Sequence, residues 1–385
     1  MKYQQTVFGQ LLTLVPREIF QKLVEKYNGD YKTHKLDCWT QFVTMFYAQL
    51  KQRNSLRDIE TGLEVQCNKL YHLGMIQPIK RSTLSDANNK RSYHIYEETF
   101  NYLLNRCQTT QRGRKSFKNP IQSIDSTTIE LCHSLYPWTK YRVKKGGIKL
   151  HMKLDHDTDL PDFLCVTDAN TSDLAVGKSI NFKPDSILIF DRGYYDFNWF
   201  YTLHKQGIIF VSRVKKNFTY QKIGQHKIEE ETNIISDEDV FIPGPTSHRK
   251  RCYLDPIRLV TYQDPENGEI IRFLTNSENF NPKTIVEIYK QRWKIETFFK
   301  WIKQHLKIKS FLGTSKNAVM SQIWIAMIVY LVIWYLKQQV QYSAPLIKLS
   351  RILNESLFER LHLLEILGKR RAIIFNSLQL SLGFT

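Results

Sequence analysis

Two aspartates follow apolar runs that predict β-strands. Asp125 comes directly after Ile121–Ile124, and Asp191 comes directly after Ile187–Phe190. If these strands are neighbours in a sheet, both carboxylates emerge at adjacent positions, where their oxygens can hold a hard divalent cation. Phosphoryl transfer with two metal ions about 3.5–4 Å apart needs such an arrangement and normally a third carboxylate. An aspartate at a strand end is also a common turn residue, so neither one alone establishes a site.

A third acid lies in the segment Thr284 to Ile308, which has no Gly or Pro and predicts one long helix. At about 100° per residue, Tyr289, Arg292, Glu296 and Lys303 fall on one narrow face of this helix. An apolar stripe beside that face consists of Ile288, Ile295, Phe299, Ile302 and Leu306. The stripe can pack against a sheet while Glu296 serves as the third metal ligand and Arg292 and Lys303 hold phosphates. The alternative is a solvated charged face braced by i,i+4 ion pairs.

The segments around these acids predict a mixed α/β layer. The strand-like runs are Ile121 to Leu131, Gly147 to Asp155, Phe163 to Asp168, Asp185 to Asp191 and Gly207 to Val214. Helix-like pieces lie at DLAVGKSI and at Phe197 to Lys205. Three successive strands, a helix and a fourth strand beside the first are the order expected of a ribonuclease-H-like sheet. Residues 216–276 carry further runs, DVFIP, RCYLD, IRLVTY and EIIRFLT, which predict a β-rich insertion between the second Asp and the Glu.

The first section of the chain predicts helices, because its apolar residues recur at intervals of three and four. Asn54 or Ser55 can cap SLRDIETGLE, and Ser82 or Thr83 can cap a helix that begins LSDANNKRSYHIYEE. Two short capped helices fit a helix-turn-helix reader of DNA, and a plain helical bundle fits equally well. The basic stretch from Gln108 to Pro120 interrupts regular structure. We therefore predict a helical DNA-binding domain over 1–118 and a catalytic domain over 119–385.

The composition indicates a folded protein with a polyanionic partner. Fifty-five Lys and Arg against 37 Asp and Glu give a formal net charge of +18, which suits phosphate neutralisation. Six isolated cysteines and an N-terminus without signal-peptide features predict a reduced, cytoplasmic protein. The uncharged stretch Asn317 to Leu336 is strongly apolar only from Ile323 onward. That length favours a buried core helix over a membrane span.

The four polar residues of the predicted helix have the spacing Y-x2-R-x3-E-x6-K. This pattern resembles the signature of the DDE transposases of bacterial insertion sequences, in the insertion-sequence-four family named for its Y-R-E-K motif. The context is similar as well. IDSTTIEL, around Asp125, resembles that family's first aspartate segment, and DRGYYD, around Asp191, resembles the second. The resemblance covers about Pro120 to Gly313 and includes a ribonuclease-H-like domain with a β-strand insertion.

The resemblance implies a magnesium-dependent nuclease and strand transferase of the cut-and-paste kind. Two Mg²⁺ ions, for which Mn²⁺ would substitute, would be held by Asp125, Asp191 and Glu296. Water would nick an element end, and the resulting 3′-OH would attack target DNA. By the same resemblance, Tyr289, with Arg292 and Lys303, would hold phosphates near the cleaved end. The implied partner is double-stranded DNA, both terminal inverted repeats and target, bound by a homodimer away from any membrane.

One departure from the family concerns the insertion. Relatives place a tryptophan there to stack a flipped base during hairpin formation, and this sequence has none between Trp199 and Trp293. A Tyr or Phe, such as Tyr253 or Tyr262, can take its place, since any aromatic face can stack a base. Two other functions remain open at this point: a ribonuclease-H-like nuclease that cleaves without joining, and a catalytically idle DNA-binding protein.

Overall fold

The computed structural model describes residues 5–33, 35–110, 119–139, 146–215, 217–228, 233–243 and 253–368. The α-helices are α1 Val7–Leu12, α2 Arg17–Lys26, α3 Cys38–Leu50, α4 Leu56–Glu64, α5 Arg81–Lys90, α6 His94–Thr110, α7 Asp173–Ser179, α8 Phe197–Lys205, α9 Pro282–Lys290, α10 Trp293–His305, α11 Lys316–Gln339, α12 Leu346–Ser356 and α13 Leu363–Ile366. Short 3₁₀ helices lie at Cys67–Leu73 and Arg192–Tyr194. The strands are β1 Ile121–Leu131, β2 Gly146–Asp155, β3 Leu160–Asp168, β4 Ile187–Phe190, β5 Ile209–Arg213, β6 Gln221–Gln225, β7 Ile234–Phe241, β8 Ile257–Gln263 and β9 Ile270–Thr275.

The chain forms two compact units. One, which we call the sheet unit, comprises Gln111–Lys300, and the other, the helical unit, comprises Met1–Thr110 and Trp301–Thr385. The sequence predicts one catalytic domain over residues 119–385. The C-terminal helices instead pack with the N-terminal ones, because α11 is apolar on all sides and contacts α6 and α3.

The sheet unit contains one sheet with the strand order β3-β2-β1-β4-β5-β9-β8-β7-β6. β1, β2 and β3 pair antiparallel, whereas β4 is parallel to both β1 and β5. The strand-rich segment after β5 joins the same sheet through the antiparallel pair β5–β9. The predicted strand RCYLD in that segment is wrong for Tyr253 and Leu254, which lie in no strand. Its first two residues, Arg251 and Cys252, lie outside the described residues. β6 is a strand that the sequence did not predict.

Side chains alternate between the two faces of this sheet, so each strand contributes to two cores. On one face, Ile121 and Ile189 pack with Ile285 and Ile288 of α9. On the opposite face, Ile124, Leu188 and Phe190 pack with Trp199, Phe200 and Leu203 of α8. The odd-numbered residues of β1 and β4 therefore face α9.

The predicted single helix from Thr284 to Ile308 is wrong, because α9 ends at Lys290 and α10 begins at Trp293. Around Gln291 and Arg292 the backbone N–H groups donate to carbonyls three residues back, as in a 3₁₀ turn. The Gln291 side chain is also within hydrogen-bond distance of a histidine of the sheet unit, 3.3 Å away. Tertiary contacts thus interrupt a segment whose composition alone favours an unbroken helix. Tyr289 lies in α9 before this turn, whereas Glu296 and Lys303 lie in α10 after it. These residues therefore do not share the one continuous helix face that the sequence predicts.

In the helical unit, α11 meets the length and composition of a membrane span, yet all of its residues from Ala318 to Leu336 are buried within the protein. This is the arrangement expected of a core helix. Ser55 caps α4 as predicted, accepting from the Asp58 N–H. Ser82 and Thr83, however, do not cap α5, because the helix begins at Arg81 and they lie in its first turn.

The helix predicted to continue from α5 is also broken, between Lys90 and His94. Arg91 lies in the break, where its guanidinium donates to the carbonyl of Gly29 and to the side chain of Gln41. Burying a guanidinium requires such partners, and these bonds fix the turn. α4 and α5 are separated by sixteen residues that include a 3₁₀ helix, a longer connection than a compact helix-turn-helix has.

Candidate functional site

Asp125 lies in β1 on the face that α9 covers, and its side chain is mostly buried. Its Oδ1 accepts a hydrogen bond from the Ser126 N–H at 2.8 Å. Burial raises the pKa of Asp125 to about 7. The nearby carboxylates of Asp191 and Glu296 raise this pKa further, whereas the Ser126 N–H and the Arg292 guanidinium lower it. The carboxylate therefore lies in a partly desolvated place with more negative than positive charge around it.

Asp191 comes directly after β4, on the strand next to Asp125. In the parallel register Ser123 pairs with Ile189, so Asp125 and Asp191 each lie two residues beyond the same pair. Asp191 caps the following 3₁₀ helix, and its Oδ1 accepts from the Gly193 N–H at 2.8 Å. A Cβ at Gly193 would approach that oxygen to 2.9 Å. Glycine at 193 thus leaves room for the Asp191 carboxylate. The pairing of β1 with β4 confirms the prediction that the two strands are neighbours.

Glu296 lies in α10, and the Arg292 guanidinium connects it to Asp125. Arg292 Nη1 lies 2.5 Å from Glu296 Oε1 and 3.9 Å from Asp125 Oδ2. The guanidinium carbon lies 5.7 Å from the centre of the Tyr289 ring, which in turn packs on Phe273. The Nε of Arg292 is buried and has no hydrogen-bond partner among the described residues.

Burial raises the pKa of Tyr289, so this hydroxyl stays protonated beside the Arg292 guanidinium. Lys303 lies two turns beyond Glu296 along α10, in the part of that helix that belongs to the helical unit. Burial lowers the pKa of Lys303, as does the positive charge of Lys309.

The three acids offer oxygen ligands of the kind that hard divalent cations prefer. Among the residues that the structure describes, no three His, Cys, Asp or Glu side chains are already close enough to form a metal cluster. The Arg292 guanidinium lies between Glu296 and Asp125 instead. Burial, and to a lesser extent the charges of Asp191 and Glu296, raise the pKa of Asp125, and a bound cation would favour its ionised form. The residues present therefore fit a divalent metal ion.

A buried hydrogen-bonded chain that the sequence did not predict lies beside the acids. Ser123 Oγ is 2.8 Å from His156 Nε2, and His156 Nδ1 is 3.3 Å from Gln291 Oε1. Burial lowers the pKa of His156 to about 4, so the ring is neutral. With Gln291 Oε1 as the acceptor, Nδ1 carries the proton and Nε2 accepts from the Ser123 hydroxyl. Lys294 also donates to the His156 carbonyl.

This chain connects β1, two residues before Asp125, to the turn that carries Arg292. It therefore fixes the turn relative to the sheet. In the sequence, the only indication of this hydrogen-bonded chain is that His156 directly follows a predicted strand. Nothing in the spacing of the residues connects His156 to Ser123 or Gln291.

The two tyrosines proposed to replace a base-stacking tryptophan are both buried. Tyr253 is fully buried and its hydroxyl hydrogen bonds with His204 Nδ1. Tyr262 is 6% exposed, and the Lys290 amine lies over its ring. Neither ring has a free face for a base, so these two tyrosines do not take the place of that tryptophan.

Comparisons with known proteins agree with the chemistry of the site. Residues 116–332 match the family described as the transposase DDE domain, and residues 3–76 match a domain of unknown function, DUF4372. A Sinorhizobium fredii protein named as a transposase is 33% identical over 72% of this chain and 77% of its own length. A Geobacillus stearothermophilus protein named as the transposase of an insertion-sequence element is 28% identical over 68% of each chain.

Among solved structures, the chain is similar in fold to a piggyBac transposase in a synaptic complex with hairpin DNA. The TM-score is 0.50 at 13% sequence identity, over 99% of this chain and 86% of that one.

Proposed function

The chain belongs to the transposase DDE domain family, and from that premise we propose that Asp125, Asp191 and Glu296 are its catalytic metal ligands. It is a DNA transposase, an enzyme that acts on DNA and depends on a divalent metal ion. The observation that carries the assignment is the position of two aspartates on neighbouring parallel strands, Asp125 within β1 and Asp191 directly after β4. Arg292 connects Glu296 of α10 to Asp125.

We assign the sheet unit to the ribonuclease-H-like fold. Three antiparallel strands followed by two parallel ones, in the spatial order β3-β2-β1-β4-β5, support this assignment. β6 to β9 then form the β-rich insertion between the second aspartate and the glutamate, and they extend the same sheet. The predicted functional division, with DNA binding in the N-terminal helices and catalysis in the sheet unit, is part of the same proposal.

The metal in this proposal is magnesium, with manganese as a substitute, in two sites shared by Asp125, Asp191 and Glu296. When bound, such ions activate the attacking oxygen and stabilise the leaving oxygen of a phosphodiester. Burial and the charge of its neighbours favour the protonated form of Asp125, so this carboxyl releases a proton as it becomes a ligand.

The chain's own residues hold and orient the phosphate. Arg292 presents its unpartnered Nε, and its planar fork matches phosphate oxygens in a bidentate manner. Tyr289 lies beneath the guanidinium and restricts its orientation. Lys303 is proposed to contact phosphates further along the same strand. Ser123, His156 and Gln291 position the turn that carries Arg292.

DNA is the partner of the family. Its particular forms here are proposals: terminal inverted repeats, then target DNA, bound by a homodimer that bridges two element ends in the cytoplasm. The proposed reaction is a nick at an element end, followed by attack of the new 3′-OH on target DNA.

The test is incubation of the purified protein with Mg²⁺, labelled duplex carrying the element's own terminal repeat, and a plasmid target, with Asp191→Ala as the control. We expect wild type to produce both nicked ends and joined plasmid, and the variant neither. Nicked ends without joined plasmid would assign a nuclease that does not transfer strands. Equal product from both proteins, or none from wild type with authentic ends, would contradict the proposal.

A further inference from the structure

Two of the surface cavities formed by the described residues of the helical unit differ in charge. The first, of about 480 Å³, is lined by three bases and three acids: Lys51, Arg53, Lys69, Asp58, Glu355 and Glu359. The second, of about 840 Å³, lies between the loop that follows α2, helix α5 and the turn before α6. We call the second cavity the tyrosine–lysine groove. Its characteristic lining residues are Tyr27, Tyr31, Lys32, Lys35, Lys90 and Tyr93.

Three amines give this groove its positive charge. Lys32, Lys35 and Lys90 are all exposed. None of them forms an ion pair with a carboxylate in the described part of the chain, whereas Arg91, the fourth cation of the lining, lies 3.5 Å from Asp30. Asp86 of α5 is the one exposed acid among the described lining residues. The groove therefore carries a net positive charge, unlike the first cavity.

Aromatic rings line the walls of the groove. Tyr27 stacks on His94 with ring centres 5.7 Å apart, and the Tyr93 ring lies against the same histidine ring, with centres 4.1 Å apart. Tyr31 is 73% exposed at the rim, with the Lys32 amine 5.2 Å from its ring centre. An exposed aromatic ring beside unpaired amines offers a nucleic acid both a hydrogen-bonding hydroxyl and a flat apolar surface.

We propose that the tyrosine–lysine groove is a DNA-binding surface, on which the phosphates of a duplex lie against Lys32, Lys35 and Lys90. The proposal rests on the proposed function and adds to it the surface through which the helical unit holds DNA. Amines without carboxylate partners release condensed counterions when they meet phosphates, so they contribute directly to affinity. Asp86, at the same surface, opposes binding through its like charge.

Binding is measured by fluorescence anisotropy of a labelled terminal-repeat duplex at several salt concentrations, in EDTA so that no cleavage occurs. For the triple variant Lys32→Ala, Lys35→Ala, Lys90→Ala, we expect the slope of log K against log salt to fall by about 3, about one for each amine. The matched control is Lys22→Ala, Lys69→Ala, Lys348→Ala, which removes the same charge from the same unit outside the groove. We expect its slope to fall by clearly less than that of the groove variant.

Asp86→Asn provides a second test that a folding defect cannot imitate, because the expected change is a gain. Removing this charge at the groove should tighten binding several-fold at low salt, and the gain should shrink as salt increases. Equal slopes for the groove and control variants, together with no gain from Asp86→Asn, would overturn the proposal.

Cleavage assays separate this inference from the proposed function. If wild type binds DNA through the groove but never cleaves authentic ends in Mg²⁺, the DNA-binding proposal for the groove is supported and the proposed function is contradicted. If wild type cleaves and joins DNA, while the groove variant binds like the control variant and Asp86→Asn brings no gain, the groove proposal alone is refuted.

Discussion

The pH dependence of stability should expose the buried, neutral His156. Its pKa is lowered to about 4 in the folded protein, mainly by burial, and lies near 6.5 in an unfolded chain. Because the folded pKa of this base is the lower one, the unfolded state binds more protons between these values. The stability that depends on neutral His156 is fully present above pH 6.5 and is lost as the pH falls toward 4.

This difference of about 2.5 between the two pKa values lowers the free energy of unfolding by about 3 kcal/mol at pH 4 and by about 2 kcal/mol at pH 5, relative to neutral pH. The assay is urea denaturation from pH 8 to pH 4 on wild type and His156→Gln. The variant should be less stable at pH 8, since it loses the Ser123 and Gln291 bonds, and should lose about 2 kcal/mol less than wild type between pH 8 and pH 5.

Ser123→Ala is the matched control, because it removes one hydrogen bond and leaves the histidine buried. It should lower stability at every pH by about 1 kcal/mol and keep the wild-type pH dependence. Parallel pH curves for wild type and His156→Gln would refute a buried, neutral His156.

Three further changes test the site and its support. Arg292→Lys keeps the charge but loses the planar fork, so the single-turnover nicking rate should fall about 10²–10³-fold while duplex affinity changes little; an unchanged rate would argue against phosphate contact. Gly193→Ala places a Cβ 2.9 Å from the Asp191 carboxylate, so nicking should need a higher Mg²⁺ concentration for half-maximal rate, and an identical Mg²⁺ titration would be inconsistent with Asp191 as a ligand. Arg258→Ala leaves the buried Asp237 without the guanidinium that donates to both its oxygens, and should lower the free energy of unfolding by about 3–5 kcal/mol in urea titrations; a loss under about 1 kcal/mol would show that this pair is not needed.

The sequence predicted the sheet around the acids well, since local patterns determine those elements. β1 and α8 have the predicted bounds. Asp191 directly follows β4, whereas Asp125 lies within β1, two residues beyond the last residue that pairs with β4. Glu296 was proposed from helical periodicity, although the helix is interrupted at Gln291 and Arg292.

What the sequence did not reveal depends on contacts between distant residues. His156 is 33 residues from Ser123 and 135 from Gln291, so no local pattern connects them, and the same contacts explain why the helix breaks without Gly or Pro. The grouping of α11 with the N-terminal helices was missed for a related reason. A helix that is apolar on all sides has no preferred face, and therefore its periodicity does not indicate which helices surround it.

The central claim is that Asp125, Asp191 and Glu296 act together as metal ligands for DNA cleavage. The most direct measurement is single-turnover nicking of a terminal-repeat duplex in Mg²⁺ by wild type and by the variants Asp125→Asn, Asp191→Asn, Glu296→Gln and the double variant Asp125→Asn, Glu296→Gln. Anisotropy in EDTA confirms that each variant still binds the duplex. Each single variant should lose at least about 10³-fold in rate, and the double variant no more than either single one, because residues that act as a unit are not additive. A single variant that nicks within about tenfold of wild type would contradict the claim.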